Sequence, residues 1–238
     1  MPVVVRNAKR KANNWDIVYF VKESAKNEEL RYSLRSLKNF PHNKVWFYGY
    51  CPKGLKPDKW VKVTQREDNK WKNVNKMLRE ACQNPKITED FWIFNDDFFV
   101  MEKIENPTNH YNGDLYKRIV DIENKHQRIT PYTQLIRDVC KELESLGCET
   151  KDYNLHVPML VNKLKMLEIL NLADCTGYRS LYANYFQIGG EKMRDVKITS
   201  KIKPYRGGKY LSTDDKSFSG KVGEQIRNMF PDKCKYEK

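Results

Sequence analysis

Short apolar runs alternate with stretches of helical periodicity through the first hundred residues of this chain. Four runs, rich in aromatic and β-branched residues, predict buried strands at 15–21, 44–50, 60–64 and 91–95. Apolar residues that recur every three or four positions predict two amphipathic helices, at 27–38 and from about 69 to 83. This order of elements is typical of an α/β fold, with a mostly parallel sheet flanked by helices.

The hydrophobic pattern changes in the second half of the chain. Residues 101–130 show little periodicity and predict a long loop, of the kind that often serves as a lid or mobile segment. Beyond it, helical spacing predicts three more helices, at 131–147, 160–172 and 220–229. The length of 238 residues suits one large domain, and we predict that residues 1–238 form a single one.

The fourth predicted strand leads into a polar turn. Asn95, Asp96 and Asp97 interrupt an apolar run that extends from Phe91 to Val100. Adjacent carboxylates between buried segments would repel each other and lose hydration, unless they were exposed or a cation lay between them. Mg²⁺ and Mn²⁺ favour one or two carboxylates together with water and phosphate oxygens. Because ligands of α/β sheets bind at the carboxyl ends of the strands, we predict a divalent metal site here, with a simple acidic turn as the alternative.

Three further positions combine charge with a helical or apolar setting. Arg35 lies one turn from Arg31 on the first helix, where a basic group can point towards a phosphate, although a solvated surface is its default role. His156 lies in an extended segment fixed by Pro158, and a histidine in such a setting is more often a core residue than a catalytic one. Arg179 is the single charge among aromatic residues, so it either pairs with a buried acid or binds a phosphate.

A second acidic pair, Asp214 and Asp215, occurs near the end of the chain. The hydroxyl of Ser212 or Thr213 can cap a short helical turn there, with the two carboxylates at its positive end. This pair is a candidate for a catalytic base or for a second metal partner.

The chain is strongly basic. Its formal net charge is +13, from 44 Lys and Arg against 31 Asp and Glu, and residues 53–79 and 189–238 each carry a surplus of six positive charges. A field of this sign attracts polyanions, so nucleic acid is the natural partner to consider. The alternative is a lysine-rich surface that only keeps the protein in solution.

Several classes of protein are not indicated. No apolar run approaches the length that spans a membrane, and residues 1–14 are basic without the apolar core of a signal peptide, so we predict a cytoplasmic protein with no membrane partner. The six cysteines are scattered without a Cys-x-x-Cys pair. We interpret them as reduced thiols, neither zinc ligands nor a disulfide framework.

Four segments follow one another along the chain: ELRYSLRSL at 29–37, FNDD at 94–97, HVP at 156–158, and Arg179 followed by YANYF at 182–186. Together they resemble the Stealth proteins, which comprise capsular polysaccharide phosphotransferases and the lysosomal-targeting N-acetylglucosamine phosphotransferase. The chain is also similar to short glycosyltransferase-like proteins of bacteriophages, some of which decorate modified bases in DNA. The resemblance spans residues 16–237 and implies a GT-A-like, Rossmann-like fold with a C-terminal acceptor-side extension. It divides the chain into a nucleotide-sugar-binding half, 15–105, and an acceptor or catalytic half, 106–238.

The resemblance also implies roles for residues at matching positions. Asp97 would be the principal ligand of Mn²⁺ or Mg²⁺, and Asp96 would support it or contact the ribose. Arg35 and Arg179 would neutralise the donor diphosphate, while His156 would act near the acceptor or the transferred phosphate. The other predicted site residues are Lys72, Asn75 and Asn95 for donor binding, and Asp214 or Asp215 as the catalytic base.

Three hypotheses follow. The first is a metal-dependent glycosyltransferase that moves a sugar from a nucleotide sugar, expected to be a UDP-sugar, to an acceptor hydroxyl on a polyanion, for which hydroxymethylated phage DNA is one candidate. A phage-encoded enzyme would act in the host cytoplasm. The second is the Stealth reaction, which transfers sugar 1-phosphate to a glycan and releases a nucleoside monophosphate. The third is a non-catalytic nucleic-acid-binding protein, in which the acidic strand end has only a structural role.

Overall fold

A five-stranded sheet lies at the centre of the computed structural model, which describes residues 15–24, 27–66, 69–172 and 177–238. The strands, in chain order, are β1 (Asp16–Val21), β2 (Val45–Gly49), β3 (Lys59–Val61), β4 (Asp90–Phe94), β5 (Phe98–Val100), β6 (His110–Tyr111), β7 (Met159–Asn162), β8 (Glu191–Lys192) and β9 (Tyr210–Ser212). The helices are α1 (Glu28–Ser36), α2 (Lys70–Gln83), α3 (Leu115–His126), α4 (Pro131–Ser145), α5 (Lys163–Leu172), α6 (Tyr178–Tyr185), α7 (Asp215–Phe218) and α8 (Lys221–Met229).

The central sheet has the strand order β3-β2-β1-β4-β7. Neighbouring pairs among β1 to β4 are parallel, and only β7 runs antiparallel, against β4. Every residue of β1 is buried, as expected of a parallel strand that is covered on both faces. The predicted α/β class with a mostly parallel sheet flanked by helices is therefore confirmed.

Side chains of β1 alternate between two apolar layers. Val18 and Phe20 pack with apolar residues of α2, α4, α5 and α6, whereas Ile17 and Tyr19 pack on the opposite face with Leu30 of α1. This alternation follows from the two-residue period of a strand. Helices therefore cover both faces, and the carboxyl ends of β1 and β4 are left at one edge of the sheet.

A small ribbon formed by β5 and β9 lies beside α1. The hydroxyl of Ser33 donates to the carbonyl oxygen of Phe98 at 2.5 Å, and the hydroxyl of Ser36 accepts from the amide of Val100 at 3.0 Å. These serines satisfy backbone groups of β5 on the side that has no neighbouring strand. The ribbon therefore holds the turn that contains Asp96 and Asp97 between β4 and β5.

Three sequence predictions about secondary structure need correction. Residues 101–130 are not a long loop, because they contain the helix α3, which Asp114 caps and which packs on α4. Leu115 and Ile119 of α3 are buried, and Ile122 packs against the same apolar layer, so the apolar period of α3 is present but short. The helix predicted at 160–172 is split, because its first residues form β7, and the strand predicted at 60–64 is β3, shifted to Lys59–Val61.

Two further findings concern membrane-spanning helices and the cysteines. In the described ranges, helices that combine the length and the apolarity needed to cross a bilayer do not occur. The five cysteines that the structure describes, Cys51, Cys82, Cys140, Cys148 and Cys234, are free thiols. Cys175 lies outside the described residues.

Candidate active site

A cavity of about 520 Å³ opens at the carboxyl ends of β1 and β4, and we call it the acidic cavity. Its walls come from the segment after β1, the start of α1, the turn after β4, Lys197, α7 and Arg227 of α8. Seven of the lining residues are Asp or Glu, and three are Lys or Arg. This excess of negative charge favours the binding of a cation. The cavity draws residues from both predicted halves of the chain.

Asp96 is held at the cavity by the first turn of α1. Asn27 accepts from the amide of Leu30 at 2.9 Å and so caps the helix, while its amide nitrogen donates to Asp96 Oδ2 at 2.7 Å. Burial and the adjacent charge of Asp97 raise the pKa of the Asp96 carboxyl to about 6. A cation bound at this position would reverse that effect, because it would favour the ionised carboxylate.

Asp97 has two chemically different oxygens. Its Oδ2 lies 2.8 Å from Nζ of Lys197 and also accepts from the hydroxyl of Ser212 at 3.3 Å. Its Oδ1 is buried and makes no hydrogen bond within the described part of the chain. A buried acceptor without a partner is uncommon, and a water, an ion or a ligand can satisfy it. Asp97 is thus both anchored and open to a further partner.

Glu29 is a third carboxylate of this group, and the sequence analysis gave it no role. It lies in the first turn of α1, where it accepts from the hydroxyl of Thr213, and it lines the acidic cavity. Burial and the charges of Asp96 and Asp97 raise the pKa of its carboxyl to about 7. A group that titrates near neutral pH inside a cavity can accept or donate a proton during a reaction.

The second acidic pair also lines the cavity, at the start of α7. Asp214 accepts from the amide of Ser217 at 2.8 Å, so its carboxylate is the helix cap, a role that the sequence analysis gave to Ser212 or Thr213. Asp215 follows it in the first turn and is exposed. Of the two residues, Asp215 is therefore the one whose carboxylate remains available to act as a base.

The residues of the acidic cavity fit a divalent metal that keeps part of its water shell. Among residues 15–24, 27–66, 69–172 and 177–238 there is no group of three or more His, Cys, Asp or Glu side chains able to hold a metal ion alone. Mg²⁺ commonly uses only one or two carboxylates and takes its other ligands from water and substrate phosphates. Asp97, with its unsatisfied Oδ1, and neighbouring Asp96 supply that number.

His156 belongs to a second polar cluster, which we call the histidine cluster: His156, Asp195, Arg118 and Asp152. Nδ1 of His156 lies 2.8 Å from Asp195 Oδ2, and its backbone amide donates to Asp195 Oδ1 at 3.1 Å. Arg118 contacts Asp195 at 3.8 Å and donates to the fully buried Asp152 at 2.9 Å. Burial alone would raise the pKa of the Asp195 carboxyl, but the hydrogen bonds from His156 and the charge of Arg118 lower it to about 2.

This arrangement fixes which nitrogen of the neutral imidazole ring carries the proton. Because Asp195 is an ionised carboxylate that accepts from Nδ1, the neutral form of His156 carries its proton on Nδ1 and keeps the lone pair on Nε2. About 27% of the side chain is exposed, so the ring can be reached from solvent. His156 is therefore oriented as a proton acceptor. It differs from a core histidine whose two ring nitrogens are both satisfied, which was the alternative considered from the sequence.

The two clusters are close neighbours. Asp195 and Lys197 are two residues apart, so their Cα atoms lie within about 7 Å of each other. The ring of His156 stands edge-on to that of Phe98, which directly follows Asp97, with ring centroids 6.4 Å apart. The segment 195–197 therefore links the anchored histidine to the anchored carboxylate, although His156 is not among the lining residues of the acidic cavity.

Arg35 lies elsewhere, and its predicted contact with a donor diphosphate needs correction. Its guanidinium donates to Glu237 at 2.7 and 2.9 Å and to the carbonyl oxygens of Phe230 and Pro231. The side chain of Glu237 is fully buried, and Arg31 also contacts it, at 3.1 Å. Arg35 therefore fastens the C-terminal tail to α1, and all three of its guanidinium nitrogens are used in doing so.

Arg179 is also occupied by the protein itself. It donates to the carbonyl oxygens of Tyr153 at 3.2 Å and Val157 at 2.6 Å, and so it supports the extended segment that carries His156. A structural role of this kind was not one of the two alternatives considered from the sequence, which were an acid partner or a phosphate. Arg179 is not among the lining residues of the acidic cavity.

The other predicted donor-binding residues are not brought into the acidic cavity. Lys72 is exposed on α2 and Asn75 is half-buried on the same helix, and neither lines the cavity. Asn95 directly follows the strand β4, and its carbonyl accepts from the amide of Phe98 at 3.2 Å, which closes the turn around Asp96 and Asp97.

Sequence reasoning missed the cations of the site. Lys197 and Arg227 line the acidic cavity, and Arg227 donates to Glu28 at 2.9 and 3.0 Å across its mouth. Both residues lie in segments whose local pattern predicts only a basic surface. Glu29 and Asn27 had a usable signal, because an Asn-Glu-Glu sequence at a helix start places a cap and two carboxylates at one end of α1.

Comparison with known protein families and curated proteins identifies no relative. The sequence matches no model of a known protein family, and no curated protein matches it.

Proposed function

We propose that this protein is a metal-dependent transferase of the GT-A type, which moves a sugar from a nucleotide-sugar donor to an acceptor hydroxyl. The observation that carries the proposal is Asp97, a carboxylate at the carboxyl end of a parallel strand that is anchored through one oxygen and has an unpaired, buried second oxygen. A metal-bound diphosphate is a ligand that satisfies such an oxygen and fits a cavity of about 520 Å³. A donor of the UDP-sugar class is the expected substrate.

In the acidic cavity, carboxylates would bind the metal, and basic side chains would bind the phosphates of the donor. Asp97 and Asp96 would hold Mn²⁺ or Mg²⁺, which, when bound, supplies positive charge to the diphosphate leaving group. Lys197 and Arg227 would bind the phosphate oxygens, because both are basic side chains that line this cavity. They replace Arg35 and Arg179 in the diphosphate-binding role.

The proposed reaction needs a base on the acceptor side. The acceptor oxygen bonds to the anomeric carbon, the bond from that carbon to the diphosphate oxygen breaks, and the nucleoside diphosphate leaves with the electron pair. The acceptor proton passes to Nε2 of His156, which Asp195 orients through Nδ1. Asp215 is the alternative base, because it is an exposed carboxylate at the edge of the acidic cavity.

A second candidate reaction is transfer of sugar 1-phosphate, as the Stealth resemblance implies. The oriented imidazole of His156 suits this reaction as well, because the same base would activate an acceptor hydroxyl for attack on phosphorus. The two reactions differ in their leaving group: sugar transfer releases a nucleoside diphosphate, and sugar-phosphate transfer releases a nucleoside monophosphate.

The test is hydrolysis and transfer from a panel of nucleotide sugars, with Mn²⁺, with Mg²⁺ or with a chelator, on hydroxymethylated DNA, plain DNA and a glycan acceptor. The wild type is compared with Asp97→Asn and with the matched control Asp138→Asn, whose carboxylate is exposed on α4. We expect metal-dependent release of nucleoside diphosphate that is lost only in Asp97→Asn. Release of nucleoside monophosphate would favour the second candidate, and no turnover of any donor with either metal would overturn both.

A further inference from the structure

A second cavity, of about 430 Å³, lies next to the β5–β9 ribbon, and we call it the aromatic groove. It is lined by Val196 and Ile198, by Tyr210 and Leu211 of β9, and by the segment Lys203–Gly207. It shares no lining residue with the acidic cavity.

The lining of the aromatic groove is apolar and aromatic, with a basic rim. Tyr205 and Pro204 offer flat surfaces, and Lys203 and Arg206 are its charged residues. The segment 197–209 contains five Lys or Arg and no Asp or Glu, and every one of these except Lys197 is exposed. Charge complementarity therefore indicates an anionic ligand with a flat apolar part.

The groove is preformed rather than dependent on a loose loop. Gln225 of α8 accepts from the amide of Tyr205 at 2.7 Å and donates to its carbonyl at 3.3 Å. The amide of Gly208 donates to Glu102 at 3.2 Å, and the hydroxyl of Tyr205 donates to the carbonyl of Gly208. A segment held at both backbone and side chain presents its ring with little loss of entropy on binding.

The aromatic groove and the acidic cavity share a wall. Val196 and Ile198 line the groove, while Lys197 between them lines the acidic cavity and contacts Asp97. On β9, Leu211 lines the groove, and the next residue, Ser212, donates to Asp97. A polymer that lies in the groove therefore passes close to the carboxylate on which the proposed reaction depends.

The chemistry of the groove distinguishes among polyanions. A duplex hides its bases and is too wide for a cavity of this volume, whereas one unstacked base fits it. A glycan offers many hydroxyl groups, which carboxylate and amide side chains bind well, yet none of the lining residues is Asp, Glu, Asn or Gln. Aromatic rings beside cations are the combination that binds single-stranded nucleic acid.

We propose that the aromatic groove binds single-stranded nucleic acid, with a base stacked on Tyr205 and phosphates on Lys203 and Arg206. Its place next to Asp97 would make the strand the acceptor of the transferred sugar, and that part of the inference rests on the proposed function. Binding of the strand itself does not depend on the donor, so the two can be tested apart.

The experiment measures fluorescence anisotropy of a labelled twelve-nucleotide oligothymidine on the full chain, without donor or metal, at several salt concentrations. Variants are Tyr205→Ala, Tyr205→Phe and the double variant Lys203→Gln/Arg206→Gln. The matched control for charge is Arg128→Gln/Lys141→Gln, which removes two exposed cations from the far side of the chain around α4. A duplex and polygalacturonate, a carboxylated glycan, serve as competitors.

We expect Tyr205→Ala to weaken binding about tenfold and Tyr205→Phe to retain it, because the ring and not the hydroxyl stacks on the base. The double variant should reduce the steepness of log K plotted against log salt concentration by about 1.4, because two phosphate contacts are lost. The control double variant should change this slope less. Equal binding in all variants, or preferential competition by the duplex or by polygalacturonate, would overturn the assignment.

Donor hydrolysis without acceptor, measured on the same variants, separates this inference from the proposed function. Groove variants that hydrolyse the donor normally but lose the oligonucleotide support the acceptor assignment. Loss of oligonucleotide binding in Tyr205→Ala from a protein with no donor turnover would keep the groove assignment and overturn the proposed reaction.

Discussion

Two buried charged regions of this protein differ in what their charges contact. At the C-terminal tail, Arg35 uses its three guanidinium nitrogens on Glu237 and on two backbone carbonyls. In the acidic cavity, Asp97 is paired on one oxygen with Lys197, and its other oxygen is buried without a partner. A fully satisfied pair has no group left for a ligand and is costly to break by removing one partner, whereas an unsatisfied oxygen leaves a position for a ligand.

The raised pKa values follow the same division. Asp96 and Glu29, both in the acidic cavity, have carboxyl pKa values raised by burial and by their acidic neighbours. In the tail, burial alone would raise the pKa of the Glu237 carboxyl, but the hydrogen bonds from Arg35 and from the backbone of Cys234, together with the charges of Arg35 and Arg31, lower it. The acidic cavity therefore carries an excess of negative charge, seven acidic against three basic lining residues, whereas the carboxylate of the tail is paired with arginine.

The largest expected effect comes from Asp97→Asn. We expect metal-dependent donor hydrolysis to fall at least about 100-fold, close to 3 kcal/mol in the barrier, because the carboxylate that would hold the metal loses its charge. Thermal unfolding should change little by comparison. Hydrolysis at the wild-type rate, with Asp138→Asn as the reference variant, would remove the contrast between the two regions.

Arg35→Met should show the opposite behaviour. Breaking this pair leaves the buried Glu237 carboxylate with only Arg31 as a charged partner, so we expect the free energy of unfolding in urea to fall by about 3 kcal/mol. The double variant Arg35→Met/Glu237→Gln should lose less. A raised donor KM with unchanged stability would instead restore the diphosphate-binding role that the sequence predicted for Arg35.

Asp195→Asn tests whether the histidine cluster acts in the reaction. The amide cannot stabilise the proton on Nδ1 as the carboxylate does, so we expect kcat for transfer to fall about 10- to 100-fold with the donor KM unchanged. The acidic limb of the kcat–pH profile should move with it, which a merely structural role would not cause. Asp121→Asn, an exposed acid on α3, is the matched control.

Glu29→Gln should give the smallest effect, on stability as a function of pH. The raised pKa of about 7 means that the folded protein keeps a proton that the unfolded chain releases above its ordinary value of 4.5. Stability from this group is therefore fully present below pH 4.5 and is lost as the pH rises through 7. With a chelator present, we expect the free energy of unfolding of Glu29→Gln to fall by roughly 1–2 kcal/mol less than that of the wild type between pH 5 and pH 8. This figure includes a reduction for the partial exposure of the side chain.

That difference is measured by urea unfolding at the two pH values, with Glu105→Gln as an exposed control. Added Mn²⁺ should diminish the pH dependence of the wild type, because a bound cation favours the ionised carboxylates. An identical pH dependence in wild type and Glu29→Gln would show that Glu29 is solvated rather than buried against Asp96 and Asp97.

The sequence by itself determined three strands of the central sheet and the polar edge of that sheet. Apolar runs fix β1, β2 and β4 because strands that are buried on both faces must be apolar throughout, and Asn95-Asp96-Asp97 marks where burial ends. Helices α1, α2, α4 and α8 were also predicted, since one face of each is strongly apolar and caps such as Asn69 mark their ends. These are local signals, carried by neighbouring residues.

Tertiary structure decided which charges meet. Lys197 reaches Asp97 across 100 positions of sequence, Asp195 reaches His156 across 39, and Glu237 reaches Arg35 across 202. No local pattern encodes such contacts, because the pairing of a charge depends on which segments the packed core brings together. For the same reason Arg35, which lies on the helix whose first turn lines the site, contacts Glu237 near the end of the chain. Two of the three basic residues of the acidic cavity, Lys197 and Arg227, come from the basic last third of the chain.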